Sequence, residues 1–277
     1  MANKRILFDE LDRVLKATIN VTEKVLLSQY IKSLTEIDSK ISKIYSKYAE
    51  NGILSRPDMI KFGRLKSLQD NILVEVDSLT KLKSTEINKL VKEVYTESSL
   101  RTFNSVVKEL PNTSLLYIHP SKALILASVN NPIDGLTINQ RLADHAASVK
   151  KEISDQITQG LIQGESYFKM GERIRGSLEG DLNKAITVAR TEAHRNQNAA
   201  RQESYNQLSS QGIYNIRKEW LSVKAKNTRD SHIRLDGQRV PVDGYFEIDG
   251  NKAQYPGNFG IAKEDVNCRC TTVIVLL

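Results

Sequence analysis

The chain has 277 residues, a net charge of +7, a hydrophobic fraction of 40% and an aromatic fraction of 6%. This length suits one large or two modest domains, and the few aromatic residues favour long amphipathic helices over one dense core. Lys and Arg are spread along the chain, so the basic tail of a nucleic-acid-binding protein is excluded and only weak, non-specific DNA contact is expected. Two cysteines exclude a disulfide framework. We expect no signal peptide, no membrane span and reduced thiols in a cytoplasmic environment.

The N-terminal part shows helical periodicity. Apolar residues at steps of three and four predict a helix from about residue 22 to 49, which an Asn-Gly pair ends. The sequence 55–58, Ser-Arg-Pro-Asp, is typical of a capped helix N-terminus with proline in the first turn. Two further helices are predicted, one through Leu82 and one from Ile87 to Val107, ended by Pro111. Such helices are typical of an antiparallel bundle; the alternative is that one apolar stripe docks on a partner.

The central part is less regular. Residues 111 to 136 contain three prolines and predict a connector. A helix is predicted from Thr137 to a pair of glycines, followed by a short helix at about 166–178. A long helix is then predicted to begin with Asp181 as its N-cap and to end before Gly212.

The C-terminal part has the texture of a small sheet. Alternating residues at 213–223 and the β-branched run at 268–277 predict strands, and Asp-Gly pairs predict turns between shorter strands. The predicted fold class is α+β, an elongated, mainly helical N-terminal region followed by a small domain with short antiparallel strands. The domains predicted are a helical region at 1–110, a helical connector at 111–180 and the α+β domain at 181–277.

Charged residues on the long helix suggest contacts with the sheet. Arg190 and Arg201 lie beside alanines that allow close packing, so we expect their guanidinium groups to pair with Asp230 or Asp236, a phosphate being the alternative. Glu192 is a candidate general acid or base if it faces a cleft, and otherwise an exposed helix residue.

The residues best suited to bind a metal are His232, Cys268 and Cys270. Imidazole nitrogen and thiolate are zinc ligands, and cysteines two apart on a strand present both sulfur atoms to one side. The fourth ligand of such a structural zinc site is expected to be His194, Asp236 or water. The alternative is that the cysteines are small apolar residues of a buried strand and that the histidine hydrogen-bonds a turn.

Catalysis has little support in the sequence. There is no phosphate-binding glycine loop, no nucleophile elbow and no pair of histidines at helical spacing. We therefore expect no enzymatic activity. The alternative function is a metal-dependent hydrolase or nuclease that uses His232, Cys268 and Cys270.

Short clusters in a fixed order carry a family resemblance. They are Ala-Arg-Thr-Glu with a downstream Asn, Lys-x-Trp, Arg-x-Ser-His with Asp-Gly-Gln, Pro-Gly, and Asn-Cys-Arg-Cys. Apart from the three candidate metal ligands, the pattern rests on Arg190, Glu192, Asn198, Trp220, Arg229, Asp236, Gly237, Gln238, Pro256, Gly257 and Asn267. This ordered set resembles the C-terminal domain of the tailed-phage head-morphogenesis family, the Mu F-like minor head proteins. The first two-thirds of the chain fits the family only loosely.

The resemblance implies a minor capsid protein of the virion. It would be present in few copies inside the head near the portal vertex, after assembly in the host cytoplasm, and would act in head morphogenesis or genome delivery. The implied partners are the phage portal protein and a scaffold or capsid protein, with no membrane. Family members also occur fused to toxins, and because this chain stops soon after its last cluster we expect no toxin module here.

Overall fold

The computed structural model describes residues 4–6, 8–110 and 114–277, with the side chains of residues 4 and 5 excepted. The helices are α1 Asp9–Tyr48, α2 Arg56–Lys61, α3 Arg64–Val107, α4 Lys122–Val129, α5 Ile138–Ile162, α6 Tyr167–Ser210, α7 Asp230–Leu235 and α8 Ala262–Asp265. The strands are β1 Lys4–Ile6, β2 Ala49–Glu50, β3 Ile53–Leu54, β4 Ile216–Leu221, β5 Arg239–Pro241, β6 Phe246–Ile248, β7 Asn251–Ala253 and β8 Thr271–Leu276. Long helices precede short antiparallel strands, so the predicted α+β class is confirmed. None of the described helices is both long and apolar enough to cross a bilayer.

The chain folds into two compact units, each built from segments that are distant in sequence. One unit comprises residues up to 21, 87–138 and 187–277, and the other comprises 22–86 and 139–186. Helices α1, α3 and α6 contribute to both units. The domain boundaries predicted from composition and pattern, at residues 110 and 180, stay a prediction.

The unit formed by 22–86 and 139–186 is helical, apart from the short β2–β3 hairpin, and has an aliphatic core. Its centre includes Ile41, Ile72 and Ile153, which are fully buried. The same unit also contains a buried polar cluster. In it Asp181 accepts hydrogen bonds from Lys83 Nζ at 2.6 Å and from the Tyr30 hydroxyl. The bond from lysine is also an ion pair in which both side chains are almost completely buried.

Three predicted helix boundaries are wrong. Helix α6 runs from Tyr167 to Ser210 without a break, so Asp181 is an interior residue and not an N-cap. An interior glycine such as Gly180 costs only about 1 kcal/mol, which burial of the helix offsets. Helix α3 likewise continues through the predicted gap between Leu82 and Ile87, where neither glycine nor proline interrupts it. Helix α1 begins at Asp9, where three acidic residues in its first turn favour the N-terminal end of the helix dipole.

The predicted cap of α2 is confirmed: Ser55 accepts from the Asp58 amide, with Pro57 in the first turn. The connector contains a short helix, α4, capped by Ser121, which was not predicted. The predicted end of a helix at Pro111 lies outside the described residues.

The other unit contains an antiparallel sheet in the order β1–β8–β4–β5. Strand β8 is central and pairs with β4 so that Thr272 lies opposite Trp220. Its residues 272–275 are all buried, as the apolar pattern of the C-terminus predicted. A separate hairpin, β6–β7, turns at Asp249 and Gly250, both of which have positive φ. The C-terminal sequence clusters, from Lys-x-Trp to Asn-Cys-Arg-Cys, lie on these strands or directly beside them.

Candidate functional site

The C-terminal half of α6 is the scaffold of the site. From residue 191 to 202 every side chain except His194 is buried, although most of these residues are polar. Buried polar groups require partners, and here the partners come from loops, strands and other helices of the same unit. The helix therefore organises the region through hydrogen bonds rather than through an apolar stripe alone.

Glu192 and Arg195 form a buried ion pair one helical turn apart. The Arg195 Nη1 atom lies 3.0 Å from both carboxylate oxygens of Glu192, which is fully buried. Arg195 also donates from Nε to the Gly257 carbonyl at 2.7 Å and from its Nη atoms to the carbonyls of Asn131 and Pro132. Glu192 therefore neither faces a cleft nor lies exposed, and both predicted alternatives for it are wrong. It neutralises an arginine that joins two loops to the helix.

Asn198 joins the helix to the Pro-Gly loop and to the start of β8. Its amide nitrogen donates to the carbonyls of Pro256 at 3.2 Å and Cys270 at 3.0 Å. Its amide oxygen accepts from the Thr271 hydroxyl at 2.8 Å. The side-chain amide of Asn198 can both donate and accept, and here it does both with groups of the protein itself. This explains why an asparagine is found at a buried position.

Gly257 permits a close contact. Its φ is +85°, and a Cβ at this position would lie 2.6 Å from Arg195 Cγ. Both the backbone conformation and the space require glycine. The Pro-Gly cluster thus allows Arg195 to reach across the loop.

The predicted pairing of Arg201 with Asp230 or Asp236 is wrong in its partners, and that of Arg190 stays a prediction. Arg201 is fully buried and pairs with Asp12 of α1 at 2.5 Å, and it also donates to the Thr271 hydroxyl. Arg190 is exposed. Asp236 instead accepts from the Ser222 amide at 2.8 Å, and its other oxygen lies 3.0 Å from Lys224 Nζ. These contacts, despite partial burial, hold the pKa of Asp236 below its usual range.

The Lys-x-Trp and Asp-Gly-Gln clusters meet on β4. The Trp220 amide donates to the Gln238 carbonyl, and the Gly237 amide donates to the Trp220 carbonyl, both at 2.9 Å. Trp220 is fully buried against Phe246. On the same strand, buried Lys218 donates to Gln202 at 2.8 Å, and burial lowers the pKa of Lys218 to about 8. These residues fix the sheet against α6.

The structure brings the three candidate metal ligands together. His232 on α7 places Nδ1 3.5 Å from the Sγ atom of Cys268 and 3.4 Å from that of Cys270. All three residues are buried, and their ligand atoms lie within 4.8 Å of one another. The cysteines are not disulfide-bonded. A thiol hydrogen bond from Cys268 and the nearby His232 lower the pKa of Cys270.

Groups around the cluster complete its setting. Glu264 lies on the far side of the imidazole, with Oε2 3.1 Å from His232 Nε2, although the N–H direction is poorly aligned on that oxygen. Arg229 donates to the Val266 carbonyl at 2.6 Å. The Asn267 amide donates to Thr191 on α6, and this asparagine has a positive φ of 59°. The Asn-Cys-Arg-Cys cluster is thus held between α6 and α7.

The predicted fourth ligands from the protein do not join the cluster. The oxygens of Asp236 interact with Ser222 and Lys224, as described above. His194 is half-buried and interacts electrostatically with Asp12 and Arg269, and burial lowers its pKa to about 4. Within the described residues, the group able to hold a metal consists of His232, Cys268 and Cys270.

Three residues that organise this region were not predicted from the sequence. Arg195 and Glu264 have the contacts given above, and Asp265 accepts from the amides of Phe259 and Gly260. Burial raises the pKa of Asp265. The three-residue step between Glu192 and Arg195 was a usable signal for a helical ion pair. No local pattern marked Glu264 or Asp265, because their partners come from loops.

Comparison with known proteins defines the class. Residues 151–273 match the family model described as Phage Mu protein F like protein. The chain is 32% identical over 269 residues to the minor head protein GP7 of Bacillus phage SPP1, covering 97% of this chain and 86% of that protein. The chain therefore belongs to the phage Mu protein F-like family, and this membership supports a role in phage head morphogenesis. A metal-dependent hydrolase or nuclease is not supported by these relatives.

Two other relatives extend the comparison. The chain is 32% identical over 270 residues to the NAD(+)–arginine ADP-ribosyltransferase EFV of Enterococcus faecalis V583, covering 96% of this chain and 54% of that protein. This chain thus spans about half the length of EFV. It is also 30% identical over 123 residues to the uncharacterized protein YqbB of Bacillus subtilis, covering 43% of this chain and 39% of that protein. No solved structure matches the chain significantly.

Proposed function

We propose that this protein is a minor structural component of the phage head, located inside it near the portal vertex. The observation that carries this proposal is the similarity to SPP1 GP7 along almost the whole chain. A similarity of that extent includes the helical part and the α+β part together, so it supports a shared role for the complete architecture. The virion is the site at which that role is performed, after assembly in the host cytoplasm.

The geometry supports a structural role for the family clusters. Glu192, Asn198 and Arg201 use their polar groups on partners within the protein. Groups that act in catalysis must reach a substrate, whereas these side chains are buried and hydrogen-bonded. Their effect is to lock α6, the Pro-Gly loop and strand β8 into one arrangement.

We propose that the protein has no enzymatic activity of its own. The stretch shared with EFV is also shared with GP7, a protein whose name describes a head component. A stretch common to proteins with such different names supports a common module, and EFV has a further 46% of its length outside it (100% minus the 54% covered). We therefore propose that the transferase activity in the name of EFV does not come from the stretch shared with this chain. Incubation of this protein with NAD⁺ and an arginine-containing acceptor should give no transfer, with EFV as the active control.

The proposed partners are the portal protein encoded with this chain and, secondarily, scaffold or capsid protein. Direct association with the head is expected to involve protein surfaces, since the mild and dispersed positive charge supports only weak DNA contact. Genome delivery is the second role proposed, because a component near the portal lies on the path of the DNA.

Co-expression with the tagged portal protein tests the proposed partner. We expect this protein to co-purify with the portal and to remain bound in moderate salt. A matched control is the same pull-down with a tagged major capsid protein, which distinguishes portal binding from general adhesion to head proteins. Recovery with the capsid protein and not with the portal would contradict the portal assignment while leaving a head role intact.

A further inference from the structure

The His232–Cys268–Cys270 cluster has the dimensions of a metal site. In tetrahedral zinc with Zn–N of about 2.0–2.1 Å and Zn–S of about 2.3 Å, nitrogen and sulfur ligands lie about 3.6 Å apart. The observed separations between His232 Nδ1 and the two Sγ atoms are 3.5 and 3.4 Å. All three ligand atoms lie within 4.8 Å of one another, so the group can hold one ion.

We propose that His232 Nδ1 and the Sγ atoms of Cys268 and Cys270 bind one zinc ion, whose fourth coordination position is open to solvent. Two thiolates and an imidazole form a soft ligand set that favours zinc over magnesium or calcium. This site is independent of the head role proposed above, since it rests on ligand geometry alone.

The surroundings of His232 match those of a metal-bound imidazole. Zinc-bound histidines generally direct their second nitrogen to a carboxylate or carbonyl, which fixes the ring orientation. Here Glu264 Oε2 lies 3.1 Å from Nε2, and the same oxygen accepts from the Ser231 hydroxyl at 2.9 Å. The ring also packs edge-on to Trp220, with centroids 5.4 Å apart. Nδ1 faces the two sulfur atoms, and binding of a metal there requires only a small rotation of the ring for Nε2–H to align on Glu264.

The fourth position is assigned to water. All three ligands line a cleft of about 260 Å³, together with Arg229, Asn267 and other residues. Among the described residues that line this cleft there is neither aspartate nor glutamate, so no carboxylate is positioned there as a general base. An open coordination position without such a base is consistent with a structural ion that tolerates exchange at one site.

The ion would stabilise a region with a small apolar core. The cluster around Trp220, Phe246 and Ile248 includes both cysteines. Zinc bound by His232 and the cysteines connects α7 to the chain just before β8, closing a loop of more than thirty residues. Small regions of this kind commonly depend on a metal for part of their folding free energy.

Metal analysis of the purified full chain, prepared without chelators or a histidine tag, tests the proposal. We expect about one zinc per chain, lost in His232→Ala and Cys270→Ser and retained in His119→Ala, a control at an exposed histidine. Glu264→Gln should keep the ligands but weaken zinc affinity by roughly 10–100-fold. Substoichiometric zinc in the folded wild-type protein, unchanged after adding excess zinc and dialysing, would overturn the proposal.

Cobalt substitution avoids variants that fail to fold. Wild-type protein loaded with Co²⁺ should show thiolate charge-transfer absorption and the intense visible bands of tetrahedral coordination. Added azide should shift those visible bands, because it replaces the proposed water. Thiolate bands that do not respond to azide would overturn the open fourth position, and absence of both features would overturn the site.

Discussion

Arg195 passes so close to Gly257 that its Nε donates to the glycine carbonyl at 2.7 Å while its Cγ occupies the space of a 257 side chain. The arginine is held in this position by Glu192 within the same helix. One contact thus links the Ala-Arg-Thr-Glu cluster of α6 with the Pro-Gly cluster sixty residues later. The two motifs form a single structural feature.

Replacing Gly257 with alanine should destabilise the protein by more than the backbone strain alone. Positive φ costs a non-glycine residue about 1–3 kcal/mol, and the clash with Arg195 adds to this. Gly250→Ala is the matched control, because its φ is +81° and nothing lies within 4 Å of its Cβ position. Urea unfolding should show a clearly larger loss for Gly257→Ala. Equal losses would show that the close approach to Arg195 is unimportant.

Removing one partner of the buried ion pair between Glu192 and Arg195 should strongly lower the free energy of unfolding. Glu192→Leu leaves Arg195 charged in a buried position, which typically costs about 3–5 kcal/mol. Arg234→Ala, which breaks the exposed pair with Asp249, should cost at most about 1 kcal/mol. The comparison is made by chemical denaturation near neutral pH. A loss for Glu192→Leu as small as that for Arg234→Ala would mean that the pair is solvated.

Lys218 should make the free energy of unfolding depend on pH in the alkaline range. Burial lowers its pKa from 10.5 to about 8 in the folded protein, so between these values the unfolded chain binds more protons than the folded one. Stability should therefore gain from this group as pH rises from about 8 towards 10.5. The difference in unfolding free energy between wild type and Lys218→Met isolates the effect from other groups. We expect the unfolding free energy of the wild type to increase relative to that of Lys218→Met when the pH is raised from 7.5 to 9.5. A difference that stays constant over this range would exclude a lowered pKa of Lys218.

Asp181 offers a test of the continuous helix α6. If Asp181 were an N-cap, Asp181→Ala would lower the free energy of unfolding by about 1 kcal/mol. Because Asp181 is the buried partner of Lys83, we expect a loss of about 3–5 kcal/mol. Ser55→Ala, at an observed cap, provides the reference value. Thermal or urea unfolding of both variants decides between these roles. Similar losses in the two variants would favour a cap at Asp181.

Local patterns in the sequence predicted much of the fold. Strand β8 follows from its β-branched run, the hairpin turn from Asp249-Gly250, and the α2 cap from Ser55. Helix lengths were less predictable, because an interior glycine is tolerated once a helix is packed. Asp181 illustrates this limit, since its partners Lys83 and Tyr30 are distant in sequence and satisfy the carboxylate inside the helix.

The site was predicted in its residues but not in its contacts. His232, Cys268 and Cys270 were named because imidazole and thiolate are zinc ligands, the structure brings them together, and metal binding there stays a prediction. The burial of Glu192 was not predictable from helical spacing. Spacing predicts which residues are neighbours on a helix, but not which face of the helix packs against the rest of the protein. Arg201 was expected to pair with Asp230 or Asp236, yet it pairs with Asp12, because the start of α1 belongs to the same unit.

Quantitative mass spectrometry of purified phage particles tests the head assignment most directly. Particles are measured before and after triggered DNA release, with the portal protein as the internal standard. We expect a few copies per particle, in constant ratio to the portal, and their loss on release would additionally support a role in genome delivery. Absence of this protein from both procapsids and mature particles would contradict its assignment as a minor head component.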